Sequence, residues 1–321
     1  MRIVFMGTPE FASVLLEKLL LSGEHEVVGV VTVPDKAVGR GLKLSPSAVK
    51  KVALEHGIPL LQPVRLRDEA FLEALAAFNA DLFLVVAFRM LPEAVWKMPA
   101  KGTINLHASL LPKYRGAAPI QRAIMNGERE TGVTTFMINQ NLDEGQILMS
   151  SKVPVGREMT GGELHDALLE AGIPVVLESL RQVEKGTFSL RPQECNGEEL
   201  PVAPKIFKSD CRIVWNSPVE RIYNQIRALS PYPGAFTMVR KPGSAEAVLV
   251  KIFKAHIVPD GGGLAAGTIS TDNRQTLLVA ASDGCLQVDE LQLFGKRRMT
   301  VRDFLAGNKG FDGAVCAEEG E

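Results

Sequence analysis

The chain has 321 residues, a formal net charge of -1 and 46% hydrophobic residues. This length predicts two domains, and the near-neutral balance excludes binding of nucleic acid through overall charge, so such a partner would need local basic patches. No uncharged apolar run reaches the roughly 18 residues of a membrane span, and the N-terminus lacks the long apolar region of a signal peptide. We therefore expect a cytoplasmic protein without membrane contact, whose four cysteines are free thiols.

The first half of the chain alternates predicted strands and helices. Strands are predicted over 2–6, 27–33, 82–87 and 102–107, and helices over 10–21, 47–56 and 68–78. Near-continuous apolar strands that alternate with helices indicate a parallel sheet covered on both faces. Two further strands are predicted over 132–138 and 146–155, followed by a helical stretch over 163–184 in which breaks at Gly172 and Pro174 are left open.

The second half of the chain has a different pattern. Residues 186–210 are polar and contain three prolines, which predicts a linker. A short helix is predicted over 219–229. Short strands separated by glycine-rich turns are then predicted over 236–239, 247–254, 276–280 and 285–293. This pattern predicts a small β-barrel.

The most informative segment of the chain covers residues 105–122. Asn105 and His107 stand two residues apart at the end of a predicted strand, so their side chains share one face. An amide donor beside an imidazole is suited to an acyl carbon that develops an oxyanion. The alternative is a buried histidine bound to backbone beside an amide that caps a turn.

Asp143 lies in the sequence Leu-Asp-Glu-Gly between two predicted strands. An aspartate in this context is typically a turn residue. A functional role requires the loop to fold back over Asn105 and His107, where the carboxylate could hydrogen-bond the imidazole and hold its tautomer.

A basic run follows the second predicted strand. After Asp35 it contains five basic residues and no acidic residue through Lys51. A solvated surface loop is the plain interpretation. Since ligands of α/β proteins bind at the carboxyl edge of the sheet, a loop here could instead contact a phosphate backbone.

Several familiar motifs are missing from the sequence. The chain has no GxGxxG after its first strand, no GxxxxGK[ST], no HExxH and no GxSxG. These absences argue against NAD, ATP, zinc-protease and serine-hydrolase chemistry. The remaining histidines have no ligand-like spacing, so no metal is expected.

The segment Asn105-x-His107-x-Ser109-Leu-Leu-Pro-x-Tyr-Arg-Gly-Ala-Ala-Pro, together with Leu-Asp143-x-Gly, resembles the folate-dependent formyltransferases. Further motifs are similar to members of that family that act on initiator tRNA: Met-Gly7-Thr-Pro-Glu-Phe, Gly39-Arg-Gly-x-Lys-Leu-x-Pro-Ser and Arg227-Ala-Leu-Ser-Pro-Tyr-Pro-Gly-Ala. The resemblance covers about residues 1–310.

The resemblance implies an α/β chain with three parts. A Rossmann-like formyltransferase domain would cover 1–188, a linker 189–208, and an OB-like β-barrel that binds tRNA 209–315. It implies transfer of a formyl group from 10-formyltetrahydrofolate to the amino group of methionyl-initiator tRNA, for translation initiation. A monomer that needs no metal is expected.

The resemblance also assigns residues. The implied catalytic trio is Asn105, His107 and Asp143. The implied folate-binding residues are Phe88, Arg89, Met90, Ser109, Leu110, Leu111 and Pro112. The implied tRNA-binding residues are Lys36, Arg40, Lys43 and Lys50. The chain departs from the family at 87–92, which is one residue shorter than the common pattern, and at Gln146, which replaces a frequent aspartate.

Two alternatives remain at this point. A formyltransferase or formyl-folate hydrolase acting on a small molecule fits the trio equally well, although it does not need the barrel or the basic loop. A non-catalytic RNA-binding protein on the same fold is disfavoured by the intact trio.

Overall fold

The structure, a computed structural model, describes residues 1–38, 43–195, 197, 199–258 and 263–317. Contacts between Cα atoms divide the chain into two compact units, each assembled from separate stretches. The first unit comprises Met1–Gly116, Glu130–Pro154 and His165–Val202, and the second comprises Ala117–Arg129, Val155–Leu164 and Ala203–Glu321. The functional division into a catalytic domain over 1–188, a linker over 189–208 and a binding barrel over 209–315 stays a prediction.

The helices follow sequence signals that are visible at their ends. For example, Ser47 caps the second helix by accepting a hydrogen bond from the backbone N–H of Lys50 at 3.0 Å. The helices in the described residues are α1 (Glu10–Ser22), α2 (Ala48–Glu55), α3 (Glu69–Ala76), α4 (Glu93–Trp96), α5 (Pro119–Met125), α6 (Gly161–Lys185), α7 (Val219–Ala228) and α8 (Val301–Gly307).

The first unit is built on a mixed sheet. Its strands are β1 (Arg2–Gly7), β2 (Glu26–Val31), β3 (Lys36–Val38), β4 (Lys43–Ser45), β5 (Leu60–Leu61), β6 (Leu82–Val86), β7 (Thr103–His107), β8 (Glu130–Met137) and β9 (Ile147–Pro154). Within the described residues, seven of them form one sheet in the order β5-β2-β1-β6-β7-β8-β9. The strands from β5 to β7 are parallel, whereas β8 and β9 are antiparallel to their neighbours. All of Leu82–Val86 is buried, as expected of a central parallel strand covered on both faces.

The structure adds to the sequence predictions at two places, with strands inside a predicted loop and a continuous helix where breaks were left open. The predicted loop over 34–46 contains the β3–β4 hairpin, in which Lys36 pairs with Ser45. The helix α6 runs unbroken through Gly172 and Pro174. A proline removes one hydrogen bond of the helix, and the buried Leu168 and Leu180 on either side of Pro174 hold α6 in place by packing.

The second unit contains the barrel. Its strands are β10 (Ala235–Arg240), β11 (Ala247–Val258), β12 (Ile269–Thr271), β13 (Leu277–Ala280), β14 (Cys285–Leu293), β15 (Met299–Thr300) and β16 (Val315–Ala317). They are antiparallel in the order β12-β13-β14-β11-β10-β16, with β15 beside β14. The backbone N–H of Cys316 donates to the carbonyl oxygen of Gly267 at 2.8 Å, and that of Ile269 donates to Ala314 at 2.8 Å. These bonds join the two ends of the sheet, so the predicted barrel is confirmed.

The barrel interior is apolar. Alternate residues of β10 are buried, which is the pattern of a strand with one face toward the core. Phe304 of α8 is fully buried, and its ring meets that of Phe311 edge-on at 4.8 Å between centroids. Trp215 is buried in the same core and donates from its indole nitrogen to the Thr237 hydroxyl at 3.1 Å.

In the part of the chain that the structure describes, no helix is both long and apolar enough to cross a lipid bilayer. The four cysteines, which all lie in described residues, form no disulfide.

Candidate active site

The candidate site begins at the carboxyl end of β7. Asn105 and His107 are separated by one residue on this strand, so their side chains lie on the same face, as the spacing predicts. β7 is parallel to β6 on one side and antiparallel to β8 on the other, where His107 is opposite Thr134. Asn105 is half-buried and His107 is 6% exposed. The site therefore lies where the parallel part of the sheet ends.

The orientation of His107 is fixed by a backbone carbonyl. Its Nε2 lies 2.8 Å from the carbonyl oxygen of Tyr114. Since a carbonyl can only accept a hydrogen bond, Nε2 carries a proton and donates it. The other ring nitrogen, Nδ1, is the one that faces Asp143. The tautomer is thus held by Tyr114, a residue to which the sequence assigned no role.

Asp143 folds back toward His107, although it does not bond to it directly. Its Oδ2 lies 3.8 Å from Nδ1 of His107, which is too long for a hydrogen bond. Instead Oδ2 accepts a hydrogen bond from the backbone N–H of Gly116 at 2.9 Å. The loop over Asn105 and His107 is therefore present, whereas the hydrogen bond predicted between Asp143 and the imidazole is not formed.

The turn that carries Asp143 has an unusual backbone. Asp143 has a φ of 53°, in the left-handed region that aspartate tolerates better than most residues. Two residues later, a Cβ added to Gly145 would lie 1.6 Å from the carbonyl oxygen of Met137. The turn thus requires glycine at 145, which explains the Asp-x-Gly spacing in steric terms.

The segment predicted to bind folate is held by hydrogen bonds to backbone atoms. The Ser109 hydroxyl donates to the carbonyl oxygen of Lys113 at 2.6 Å. The Thr134 hydroxyl donates to the carbonyl oxygen of Ser109 at 2.7 Å and accepts from the backbone N–H of Leu111 at 3.2 Å. Ser109 is fully buried and Leu111 is 7% exposed, whereas Leu110 and Pro112 are half-buried. The structure thus gives Ser109 a role in shaping the loop, and folate contacts by this segment stay a prediction.

The segment 88–90 follows β6 at the same edge of the sheet. Arg89 donates to the backbone carbonyl oxygens of Pro63 and Val64, the latter at 2.9 Å, and burial lowers the pKa of its guanidinium. Phe88 packs against the core, and Met90 is 74% exposed. Arg89 therefore ties two loops together, while Met90 is the residue of the three whose side chain is open to a ligand.

The residues predicted to contact tRNA have different surroundings. Lys36 is exposed at the base of the hairpin, and only the backbone of Lys43 is described. Arg40 lies outside the described residues. Lys50 binds both carboxylate oxygens of Asp35, at 2.9 and 2.7 Å. This pairing, with a further hydrogen bond from Gln62, holds the pKa of Asp35 below its usual value.

The Lys50 pairing changes the interpretation of that residue. Its positive charge is compensated by Asp35 beside the hairpin, so it is less available to a phosphate than the exposed Lys36. The predicted tRNA contact by Lys50 stays a prediction, and the geometry gives Lys50 a structural function.

Three site residues were missed by the sequence reasoning. Tyr114 and Gly116 hold His107 and Asp143 through backbone atoms, which leave no pattern in side-chain type. Gln193 lies in the predicted linker and donates to the carbonyl oxygens of Asp143 and Gly145 at 2.9 and 2.8 Å. A lone polar residue in a proline-rich stretch carries no sequence signal of this kind.

Among the described residues, no group of three or more histidine, cysteine, aspartate or glutamate side chains could hold a metal ion. The site instead offers a half-buried amide, an imidazole with one committed nitrogen and a nearby carboxylate. This set can donate hydrogen bonds to a carbonyl oxygen and handle a proton.

The fold and the site together define an enzyme of small acyl-group transfer. A model of the formyl transferase domain matches residues 1–180, and a model of the formyl transferase C-terminal domain matches residues 205–309. The chain therefore belongs to the formyl transferase family, as the sequence motifs predicted.

Similar proteins match almost the whole chain. The methionyl-tRNA formyltransferase of Bacteroides fragilis is 48% identical over 309 residues, which cover 96% of this chain and 95% of the relative. That of Parabacteroides distasonis is 49% identical over 314 residues, covering 96% of each. Among solved structures, an N-formyltransferase from Helicobacter canadensis aligns with a TM-score of 0.65 at 19% identity, over 91% of this chain and 99% of that one. This last similarity concerns the fold alone.

Proposed function

We propose that the chain transfers a formyl group from 10-formyltetrahydrofolate to the amino group of methionyl-initiator tRNA. The observation that carries the proposal is the joint placement of Asn105 and His107 at the end of β7, with the Asp143 carboxylate 3.8 Å from the imidazole. The choice of acceptor is supported by relatives that share nearly half of their residues with this chain and are methionyl-tRNA formyltransferases.

The site fits a formyl donor in chemical terms. A formyl group presents one carbonyl oxygen, and Asn105 can donate to it from a half-buried position on the sheet edge. His107 can donate to the same oxygen only from Nδ1, because its Nε2 proton is committed to Tyr114. Donation from Nδ1 requires that this nitrogen also carry a proton.

Formyl transfer also requires one proton to move from the amine to the folate nitrogen. The amine must be neutral to attack, and an α-amino pKa near ~8 leaves an appreciable neutral fraction at pH 7. The new bond joins the formyl carbon to the amine nitrogen, the bond from that carbon to the folate nitrogen breaks, and one amine proton ends on the folate nitrogen. We propose that Asp143 and His107 pass that proton on through a water.

The remaining parts of the proposal concern the surroundings of the reaction. Lys36, Arg40 and Lys43 in the basic segment are proposed to contact the acceptor end of the tRNA, where phosphates meet local positive charge. The barrel is proposed to bind tRNA as well. Because initiator tRNA is used in translation, the proposed location of the enzyme is the cytoplasm. The proposed oligomeric state is a monomer, which light scattering would check.

The test is an acid-urea gel assay with methionyl-initiator tRNA, 10-formyltetrahydrofolate and the full chain. The expected result is formylation of the initiator, and not of methionyl-elongator tRNA in a parallel reaction. Consumption of the folate with neither tRNA formylated would contradict the proposal and favour a hydrolase or a small amine acceptor.

A further inference from the structure

The side chain of Gln193 uses its full hydrogen-bonding capacity beside the site. Its amide nitrogen donates to the carbonyl oxygens of Asp143 and Gly145, at 2.9 and 2.8 Å. Its amide oxygen accepts from Nε and one terminal nitrogen of Arg115, at 3.0 and 2.8 Å. A glutamine amide has two N–H donors and one oxygen with two lone pairs, so all of its positions are filled.

The backbone near Gln193 is anchored independently of this side chain. Two residues earlier, Arg191 exchanges a pair of backbone hydrogen bonds with Ile147, the first residue of β9, at 2.8 and 2.9 Å. Farther along, the carbonyl oxygen of Pro201 accepts from the backbone N–H of Tyr114 at 2.6 Å. Arg191 and Pro201 therefore fix the backbone on either side of Gln193, next to the start of β9 and next to Tyr114.

Gln193 and Arg115 join the two parts of the site that carry the chemistry. Arg115 lies between Tyr114, which holds His107, and Gly116, which holds the Asp143 carboxylate. It also donates to the Glu144 carboxylate at 2.8 Å. Through Arg115, Gln193 connects the Asp143 turn to the short stretch that orients the imidazole.

We propose that Gln193 is a positioning residue that sets the separation between Asp143 and His107. The inference rests on the proposed function, because its effect on rate presupposes that these two residues act in formyl transfer. Gln193 would act by holding the carbonyl groups on both sides of Glu144, and with them the left-handed backbone of Asp143. It would not touch a substrate.

The chemistry of position 193 is specific to an uncharged amide. A glutamate there would keep the pairing with Arg115, yet it would lose both donors and place a carboxylate against two carbonyl oxygens. An alanine would remove all four hydrogen bonds. Both variants thus lose the hydrogen bonds to the Asp143 turn, whereas only Gln193→Glu keeps the pairing with Arg115.

The kinetic test is a double-mutant cycle with Asp143→Asn, which removes the charge and keeps a residue that tolerates a positive φ. With Asp143 present, we expect both Gln193 variants to lower kcat by about 10- to 100-fold, since small displacements at reacting groups cost this much. KM for both substrates should change less than about 3-fold, because Gln193 acts on the reacting step. In the Asp143→Asn background, the further loss in kcat should be below about 3-fold.

Gln182→Glu is the matched control, since Gln182 lies on α6 and its amide bonds to Glu178 away from the site. It should leave kcat unchanged. Two results would overturn the proposal. One is an equal loss of kcat by the Gln193 variants in the Asp143 and the Asp143→Asn backgrounds. The other is wild-type kcat in both Gln193 variants.

Amide hydrogen exchange provides a readout that does not depend on formylation. In Gln193→Ala, or in Gln193→Glu should the alanine variant not fold, we expect exchange in peptides over 114–116 and 143–147 to rise by about 10-fold or more. Peptides from the barrel should keep their rates, and Gln182→Glu should match wild type. Unchanged exchange at 143–147 would overturn the positioning role even if the acceptor proved to be another amine, whereas raised exchange in an enzyme that does not formylate tRNA would count against the proposed function alone.

Discussion

The mixed sheet of the first unit and the barrel of the second differ in the polarity of the side chains that they bury. At the end of β7, the buried His107, Ser109 and Thr134 are connected to loop backbone by hydrogen bonds. The described interior of the barrel is lined almost entirely by apolar side chains, around a cavity of about 20 Å³ that Thr237 borders. The end of β7 therefore holds polar side chains in fixed positions, whereas the interior of the barrel is filled by apolar side chains.

Each unit contains one tryptophan whose fluorescence can report on it. The chain has two tryptophans, of which Trp96 belongs to the first unit and Trp215 to the second. A Trp96→Phe background leaves Trp215 as the fluorescent reporter of the barrel core. Effects on barrel stability and effects on chemistry can then be measured separately.

The largest effect is expected from a cavity in the barrel. Phe304→Ala removes a fully buried ring that packs on Phe311, and it should lower the free energy of unfolding by about 3–5 kcal/mol. The measurement is urea denaturation followed by Trp215 fluorescence in the Trp96→Phe background. Phe294→Ala is the matched control, since that ring is 81% exposed and its loss should stay within about 0.5 kcal/mol. Similar losses in the two variants would mean that the barrel core is not where the structure places it.

The next effect concerns His107, at the carboxyl end of β7. His107→Ala should lower kcat by about 10²–10³-fold, equivalent to about 2.7–4 kcal/mol, with little change in KM for the tRNA. The reason is the loss of a group that acts on the reacting carbonyl. Steady-state kinetics with methionyl-initiator tRNA would measure it, with the exposed His56→Ala as control. Wild-type kcat in His107→Ala would show that His107 is not a catalytic residue.

The smallest effect is the pH dependence of stability that Cys316, in the barrel core, should cause. Burial raises the pKa of Cys316 to about 12, from the usual 9.0. Between these values the folded protein keeps a proton that the unfolded chain has lost, so stability falls as pH rises, by at most about 1.4 kcal/mol per pH unit. Urea unfolding at pH 8 to 10.5 should show a shallower decline for Cys316→Ala than for wild type. Parallel declines would show that this thiol ionises alike in both states.

The sequence predicted those features that depend on local spacing. The two-residue interval between Asn105 and His107 predicted their shared face, and the apolar run over 82–87 predicted the buried β6. Strands of two or three residues, such as β5 and β16, were not predicted because they are too short to show a period.

Contacts between distant parts of the chain could not be predicted in the same way. The sequence suggested a hydrogen bond between Asp143 and His107, yet the positions of both are set by backbone atoms of Tyr114 and Gly116. Backbone donors and acceptors are the same in every residue except proline, so the sequence holds no record of which one will bond. The linker prediction likewise missed that Gln193 reaches a loop 50 residues away.

The position of β16 has a consequence for synthesis of the protein. Its residues 315–317 pair with β10, and neighbouring backbone bonds reach back to 267–269. While the ribosome has yet to release them, the earlier strands of the barrel present open edges, which are the surfaces on which nascent chains associate with one another. Barrel closure must therefore wait until residues 315–317 have been synthesised, whereas the strands of the mixed sheet are complete by residue 154.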